Sequence, residues 1–124
     1  MTTDAPAAPA SPALPIPSLV EFTSPVPAET TPVDAAKVER GSPVATVANH
    51  YSDTGARFHC GVWSSTPGRW RVAYTEHEFC HLLDGRVRLV AADGTAREFR
   101  AGDAWVIPSG WRGTWETLEP ARKH

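Results

Sequence analysis

An all-β sandwich or barrel is the fold class this sequence predicts, and three observations predict it. From Val44 onward, turn signals recur roughly every 8–12 residues, the spacing of short paired strands. No window of about ten residues in that region keeps the 3.6-residue apolar period of a helix. Two Asp-Gly pairs, Asp84-Gly85 and Asp93-Gly94, supply the positive-φ residues that tight hairpins require.

The elements follow in order. Residues 71–74 and 79–83 read as strands. Asp84-Gly85 predicts a type I′ hairpin into a strand over 86–90, where alternation sets Val87 and Leu89 on one face. Asp93-Gly94 predicts a second hairpin, into a strand over 95–99. Turns at Ala101-Gly102-Asp103 and Pro108-Ser109-Gly110 bracket a strand at 104–107, and a last strand lies near 114–118.

The first 43 residues have another texture. Nine of the 12 prolines lie at or before Pro43, spaced by alanine, serine and threonine. Proline lacks a backbone donor and fixes φ, so this spacing excludes both helix and central strand. Residues 1–43 are expected to form a Pro/Ala-rich disordered or extended arm, with the folded domain at 44–124. An apolar patch at 14–22 is suited to docking, on the domain's own surface or on a partner.

Composition bounds the function. A chain of 124 residues fits one domain, and 41% hydrophobic with 21% charged residues excludes wholesale disorder. With 14 acidic against 12 basic side chains, no basic footprint marks a nucleic-acid or membrane partner. No apolar run approaches the roughly 20 residues of a spanning helix. Met1-Thr2-Thr3-Asp4 lacks the basic region of a secretory signal. Cys60 and Cys80 are too few for a disulfide scaffold and suggest reduced thiols in a cytoplasmic protein.

Two spacings then combine. Gly102 to Gly110 follows G-x5-P-x-G, and Glu78 with Gly85 follows E-x6-G. Together with Gly61-Val62-Trp63, Pro67-Gly68, Glu78-Phe79-Cys80-His81 and Gly113-Thr114-Trp115-Glu116, the span 44–124 resembles the small single-domain cupins. These are grouped with the cupin domain of ureidoglycine aminohydrolase and related to ethanolamine-utilisation cupins. The resemblance implies a cupin jelly-roll β-barrel (a double-stranded β-helix) and a homodimer. It also implies a divalent metal on two histidines and a glutamate of the first motif and one histidine of the second. Those positions fall on Val72, Tyr74, Glu78 and Gly113, so three of the four are replaced. The Glu-x-His-x3-His set of the aminohydrolase would fall on Val72, Tyr74 and Glu78. No metal and no other cofactor is therefore expected. His59, His77 and His81 lie nearby, but alternation turns His81 outward and leaves His77 in a turn.

The positions that remain suggest a different site. Tyr74 and Glu78 stand where ligands would point into the barrel, with Glu76 approaching across the turn. Cys80 is the next inward residue, and Trp115 shares its strand face with Gly113, whose missing side chain leaves room. All five tryptophans follow residue 62, and Trp111, in a turn, is expected to be exposed. A carboxylate inside a barrel needs a partner, for which Arg69, Arg71, Arg112 and the Tyr74 hydroxyl are candidates. Cys80 lacks an identifiable base and is read as packing rather than a nucleophile. Two functions follow. The first is a metal-independent small-molecule-binding protein for a nitrogen-containing metabolite, using Tyr74, Glu76, Glu78, Cys80 and Trp115. The second is an aminohydrolase-like or isomerase-like enzyme with Glu78 and Tyr74 as catalytic proton-transfer groups. The missing ligand set favours the first.

Overall fold

A computed structural model describes residues 14–124, so the first part of the expected arm lies outside the described residues. Among the described residues, nine strands make up the regular structure: β1 (Glu29–Pro32), β2 (Val38–Arg40), β3 (Val44–Ser52), β4 (His59–Ser65), β5 (Gly68–Ala73), β6 (Glu78–Ala91), β7 (Ala96–Arg100), β8 (Ala104–Ile107) and β9 (Arg112–Lys123). The described residues contain no helix, and so none long and apolar enough to cross a membrane. Every pairing is antiparallel, in the order β1-β3-β4-β9-β5-β2, with β6 joining β7, β8 and β9 and curling the sheet on itself. This is the all-β class that the turn spacing predicts, with the sheet curled as in a barrel.

The core is what alternation on β5, β6 and β9 turns inward: Trp70, Cys80, Leu82, Val87, Leu89 and Trp115, closed by Ile107 and Ala121. Each fully buried aliphatic side chain here contributes about 1.5–3 kcal/mol relative to exposure.

Asp84-Gly85 does not turn a hairpin. The two strands predicted on either side of it are halves of the single strand β6, which bends there. Its register on β9 slips between Leu82 and Val87, and Gly85 takes φ +87°. A glycine in the left-handed region inside a paired strand makes a bulge, which bends the strand without ending it. The close approach of β9 supplies the reason: a Cβ at Gly85 would stand 2.2 Å from the Pro120 carbonyl oxygen. Before the bend β6 pairs with β8 (Glu78 to Ile107), beyond it with β7, and it pairs with β9 on both sides, from Leu82 opposite Lys123 to Ala91 opposite Gly113. Asp93-Gly94 does form its hairpin, with the Gly94 N–H donating to Ala91 and the Asp93 carboxylate accepting from the Thr95 N–H.

Two other boundaries differ. The last strand runs to Lys123, because 121–123 leave β5 and pair instead with β4. Strand pairing also begins at Glu29, inside the segment assigned to the arm. β1 pairs with β3 and β2 with β5, and the Pro43 side chain is fully buried. Proline tolerates such edge positions because the missing N–H faces away from the sheet. Of the 14–22 patch, Phe22 stacks on His50 at 4.4 Å and meets His124 edge-on at 5.2 Å, whereas Leu14, Ile16 and Leu19 stay exposed.

Candidate functional site

A cavity of about 180 Å³ opens inside the barrel, lined by Trp63, Trp70, Trp115, Tyr74, Glu78 and Lys123, with Val33 and Ala45 at its margin. Three strands supply its chemistry. β5 buries Trp70 and leads directly into Tyr74. β6 begins at Glu78 and turns it inward, with Cys80 and Leu82 following on the same face. β9 contributes Trp115 near its start and Lys123 at its end.

Glu78 does have a buried cationic partner, but not one of the arginines. Lys123 Nζ donates to Glu78 Oε2 at 2.7 Å, and the Lys123 side chain is only 9% exposed. The same ammonium lies over two indoles, 5.0 Å from the Trp63 centroid and 5.6 Å from that of Trp115. Cation–π attraction of this kind strengthens as the cation is desolvated. Trp63 and Trp115 meet edge-on at 5.2 Å, and the Trp115 Nε1 donates to Thr117 Oγ1. Arg69 is committed to Glu39 and Glu116 and Arg71 to Glu39 and the Ala36 carbonyl, while Arg112 is exposed and lines no part of this cavity.

Tyr74 shares the cavity with Glu78, and no hydrogen bond joins the two among the described residues. Burial, reinforced by the negative charge of Glu78, holds the Tyr74 phenol well above its ordinary value, so it stays neutral and can donate. Cys80 lies behind the cavity and donates its S–H to Glu78 Oε2 at 3.2 Å. Burial pushes its thiol up to about 12, more than nearby Lys123 brings it down, which leaves an inert packing group. Glu76 does not join the site: it is exposed in the turn after β5 and lines no part of the cavity.

Two further expectations are corrected. Gly113 leaves no room. A Cβ there would stand 2.0 Å from the Val90 carbonyl oxygen and 2.8 Å from the tip of the Trp111 ring. Trp111 is accordingly half-buried rather than exposed, packed on the core and edge-on to Tyr74 at 6.2 Å. The donor set does not fit a cupin-type divalent metal. Val72 and Gly113 carry no donor, Tyr74 is a neutral phenol, and the Glu78 carboxylate is held by an ammonium. No three His, Cys, Asp or Glu side chains converge anywhere among the described residues. His59 is tied to Ser52, and His77 Nδ1 accepts from the Ser109 N–H.

Lys123 and Val33 were not among the residues singled out from the sequence. Lys123 reads as a solvated end of a short last strand, and only the length of β9 brings it inside. Val33 lies among prolines and carries no periodic signal.

An all-strand, curled antiparallel sheet with polar groups gathered inside agrees with a cupin. The chain belongs to the EutQ-like cupin domain family, whose profile matches residues 53–124. It is similar to a DUF861 family protein from Thermotoga maritima, with 33% identity, 51% of this chain and 72% of that one covered, and a TM-score of 0.50. A DUF861 family protein of unknown function from Pseudomonas syringae pv. tomato is 25% identical over 84% of this chain and 44% of its own, at TM-score 0.73. A putative ethanolamine utilization protein Q from Salmonella typhimurium shares the fold at 16% identity, 81% and 94% coverage and TM-score 0.59. This chain thus spans less than half the length of the Pseudomonas protein. No curated protein matches it.

Proposed function

We propose that this chain is a metal-independent small-molecule-binding cupin whose ligand is a compact nitrogen-containing metabolite. The Lys123–Glu78 pair on the floor of an aromatic cavity carries the reading. An ammonium has three N–H donors, and only one of those on Lys123 is used by Glu78; the carboxylate keeps acceptor capacity on Oε1. The floor therefore offers a donor and an acceptor side by side, matched to a ligand with both an N–H and a carbonyl or carboxylate oxygen. The walls are indoles, on which a flat or cationic group packs well. A volume of about 180 Å³ admits a ligand the size of about six waters, at ~30 Å³ each. The naming of a structural neighbour for ethanolamine utilization agrees with a nitrogen-containing ligand.

The enzyme reading, with Glu78 and Tyr74 moving protons, has less support. Glu78 is held by Lys123, and a phenol raised above its ordinary value stays protonated, so it is a weak acid and is not available as a base. A cytoplasmic homodimer is part of the proposal. Free Cys60 and Cys80 suit a reducing compartment, and β1, β2, β7 and β8 each leave an edge that a second copy would cover.

The test is a thermal-shift screen of small amines, amides and amino acids on the purified chain, with elemental analysis beside it. A binder should raise the Tm by several degrees, since it stabilises only the folded state, and Glu78→Gln should abolish the shift. One tightly held divalent metal per chain, or a shift that survives Glu78→Gln, would overturn the reading.

A further inference from the structure

A second hollow lies along β5, β6 and β9 beside the start of β2, and it shares no lining residue with the inner cavity. At about 570 Å³ it is the larger of the two. It falls within the roughly 300–1,000 Å³ of small-molecule sites, whereas the inner cavity falls below. Its floor is apolar and low. Ala73, Ala91 and Ala92 present only methyl groups, Gly113 presents none, and Val90 and Thr114 complete it, with Val72 packed on the core beneath. The strands themselves keep the floor low, because β6 and β9 approach too closely at Gly113 for any side chain there.

The rim is cationic. Lys37, Arg71 and Arg112 stand around this floor with one carboxylate, Glu39. That carboxylate is already engaged by Arg69 at 3.3 Å and Arg71 at 3.9 Å, and Arg71 is further fixed by the Ala36 carbonyl. The neighbouring Glu116 is spent on Arg40 and Arg69. Lys37 and Arg112 are exposed and have no ion-pair partner among the described residues. The whole chain carries a formal charge of −2, so the positive rim is a local arrangement and not a consequence of composition. A concave apolar floor with cations of one sign at its edge focuses potential on an incoming anion.

We infer that this second groove binds a small amphiphilic organic anion. Its apolar body would lie on the alanine and valine floor, and its carboxylate or phosphate would be held by Arg112 and Lys37. Arg112 offers a planar fork to two oxygens of such a group and Lys37 a point charge. The site is independent of the inner cavity and of the function proposed for it.

The probe is naphthyl phosphate, titrated calorimetrically into the full chain, with naphthol as the uncharged counterpart. Naphthyl phosphate should bind more tightly than naphthol and weaken with added salt. The Lys37→Glu/Arg112→Glu pair should weaken it by about tenfold or more. The Glu78→Gln/Lys123→Met pair, which removes the inner ion pair without leaving either partner uncompensated, should leave the affinity unchanged. The Lys37→Gln/Arg112→Gln pair serves in place of the reversal should the latter fail to fold, and melting curves check each variant. Absence of binding, a loss below tenfold, or a loss on Glu78→Gln/Lys123→Met instead would overturn the assignment.

Discussion

Lys123 Nζ lies 2.7 Å from Glu78 Oε2, joining residues 45 positions apart, one at the start of β6 and the other at the end of β9. The carboxylate occupies the position that the cupin resemblance gives to a metal ligand. The cation it meets is part of the chain itself. The pair is buried asymmetrically, with the Lys123 side chain 9% exposed and that of Glu78 34% exposed.

Removing one partner should therefore be worse than removing both. Breaking a fully buried pair costs about 3–5 kcal/mol, and the partial exposure of Glu78 brings the expectation for Glu78→Gln to roughly 2–3 kcal/mol. The double variant Glu78→Gln/Lys123→Met should recover most of that loss. Urea denaturation of all the variants measures it, and additive losses would show that the two groups do not act as a pair.

Alkaline pH should weaken the fold. Burial holds the Cys80 thiol protonated to about 12, against an ordinary value of 9.0. Above pH 9 the unfolded chain loses this proton while the folded chain keeps it, so stability falls as pH rises from 9 towards 12. Tyr74, raised from 10.0, adds a loss of the same sign at higher pH. The Tm should drop through this window, and the drop should be shallower in Cys80→Ala. A thiol reagent at pH 8 should label Cys60 well before Cys80.

Restoring histidines at Val72 and Gly113 should not restore a metal centre. Any side chain at Gly113 meets the Val90 carbonyl and the Trp111 ring, so Gly113→Ala alone should cost on the order of 2–4 kcal/mol. Gly85→Ala should cost at least as much, because φ +87° adds backbone strain to the contact with Pro120. Wild-type melting for either variant would contradict the packing described.

Truncation should locate the true start of the domain. A chain lacking residues 1–13 should melt like the full chain, whereas one lacking 1–43 loses β1, β2, the buried Pro43 and the cavity wall at Val33. The longer deletion should lower the Tm by ten degrees or so, given about 4–8 °C per kcal/mol for a domain of this size. Equal melting of the two would return the boundary to residue 44.

The barrel was legible because turn chemistry is local. Asp93-Gly94 and Pro108-Ser109-Gly110 declare their bends without reference to anything distant, and alternation placed Glu78, Cys80 and Leu82 inward as found. Asp84-Gly85 misleads because its positive φ is real but its use depends on β9, a partner that the local pattern does not contain. The site divides in the same way. Glu78 and Trp115 follow from strand parity and Tyr74 from the cupin resemblance, whereas Lys123 depends on how far β9 runs. Glu76 failed because a turn has no parity to carry it inward. Strands β1 and β2 form from proline-containing sequence because the edges of β3 and β5 accept them, a tertiary choice that overrides propensity.

The bend at Gly85 has a dynamic consequence. Because one continuous backbone is laced into both halves of the curled sheet, neither half can detach without breaking hydrogen bonds that the other requires. The barrel has no seam along β6. Amide protons at Cys80, Leu82, Val87 and Leu89 should exchange with solvent only when the whole domain opens, while those of β7 and β8, held by β6 alone, should exchange through smaller local openings.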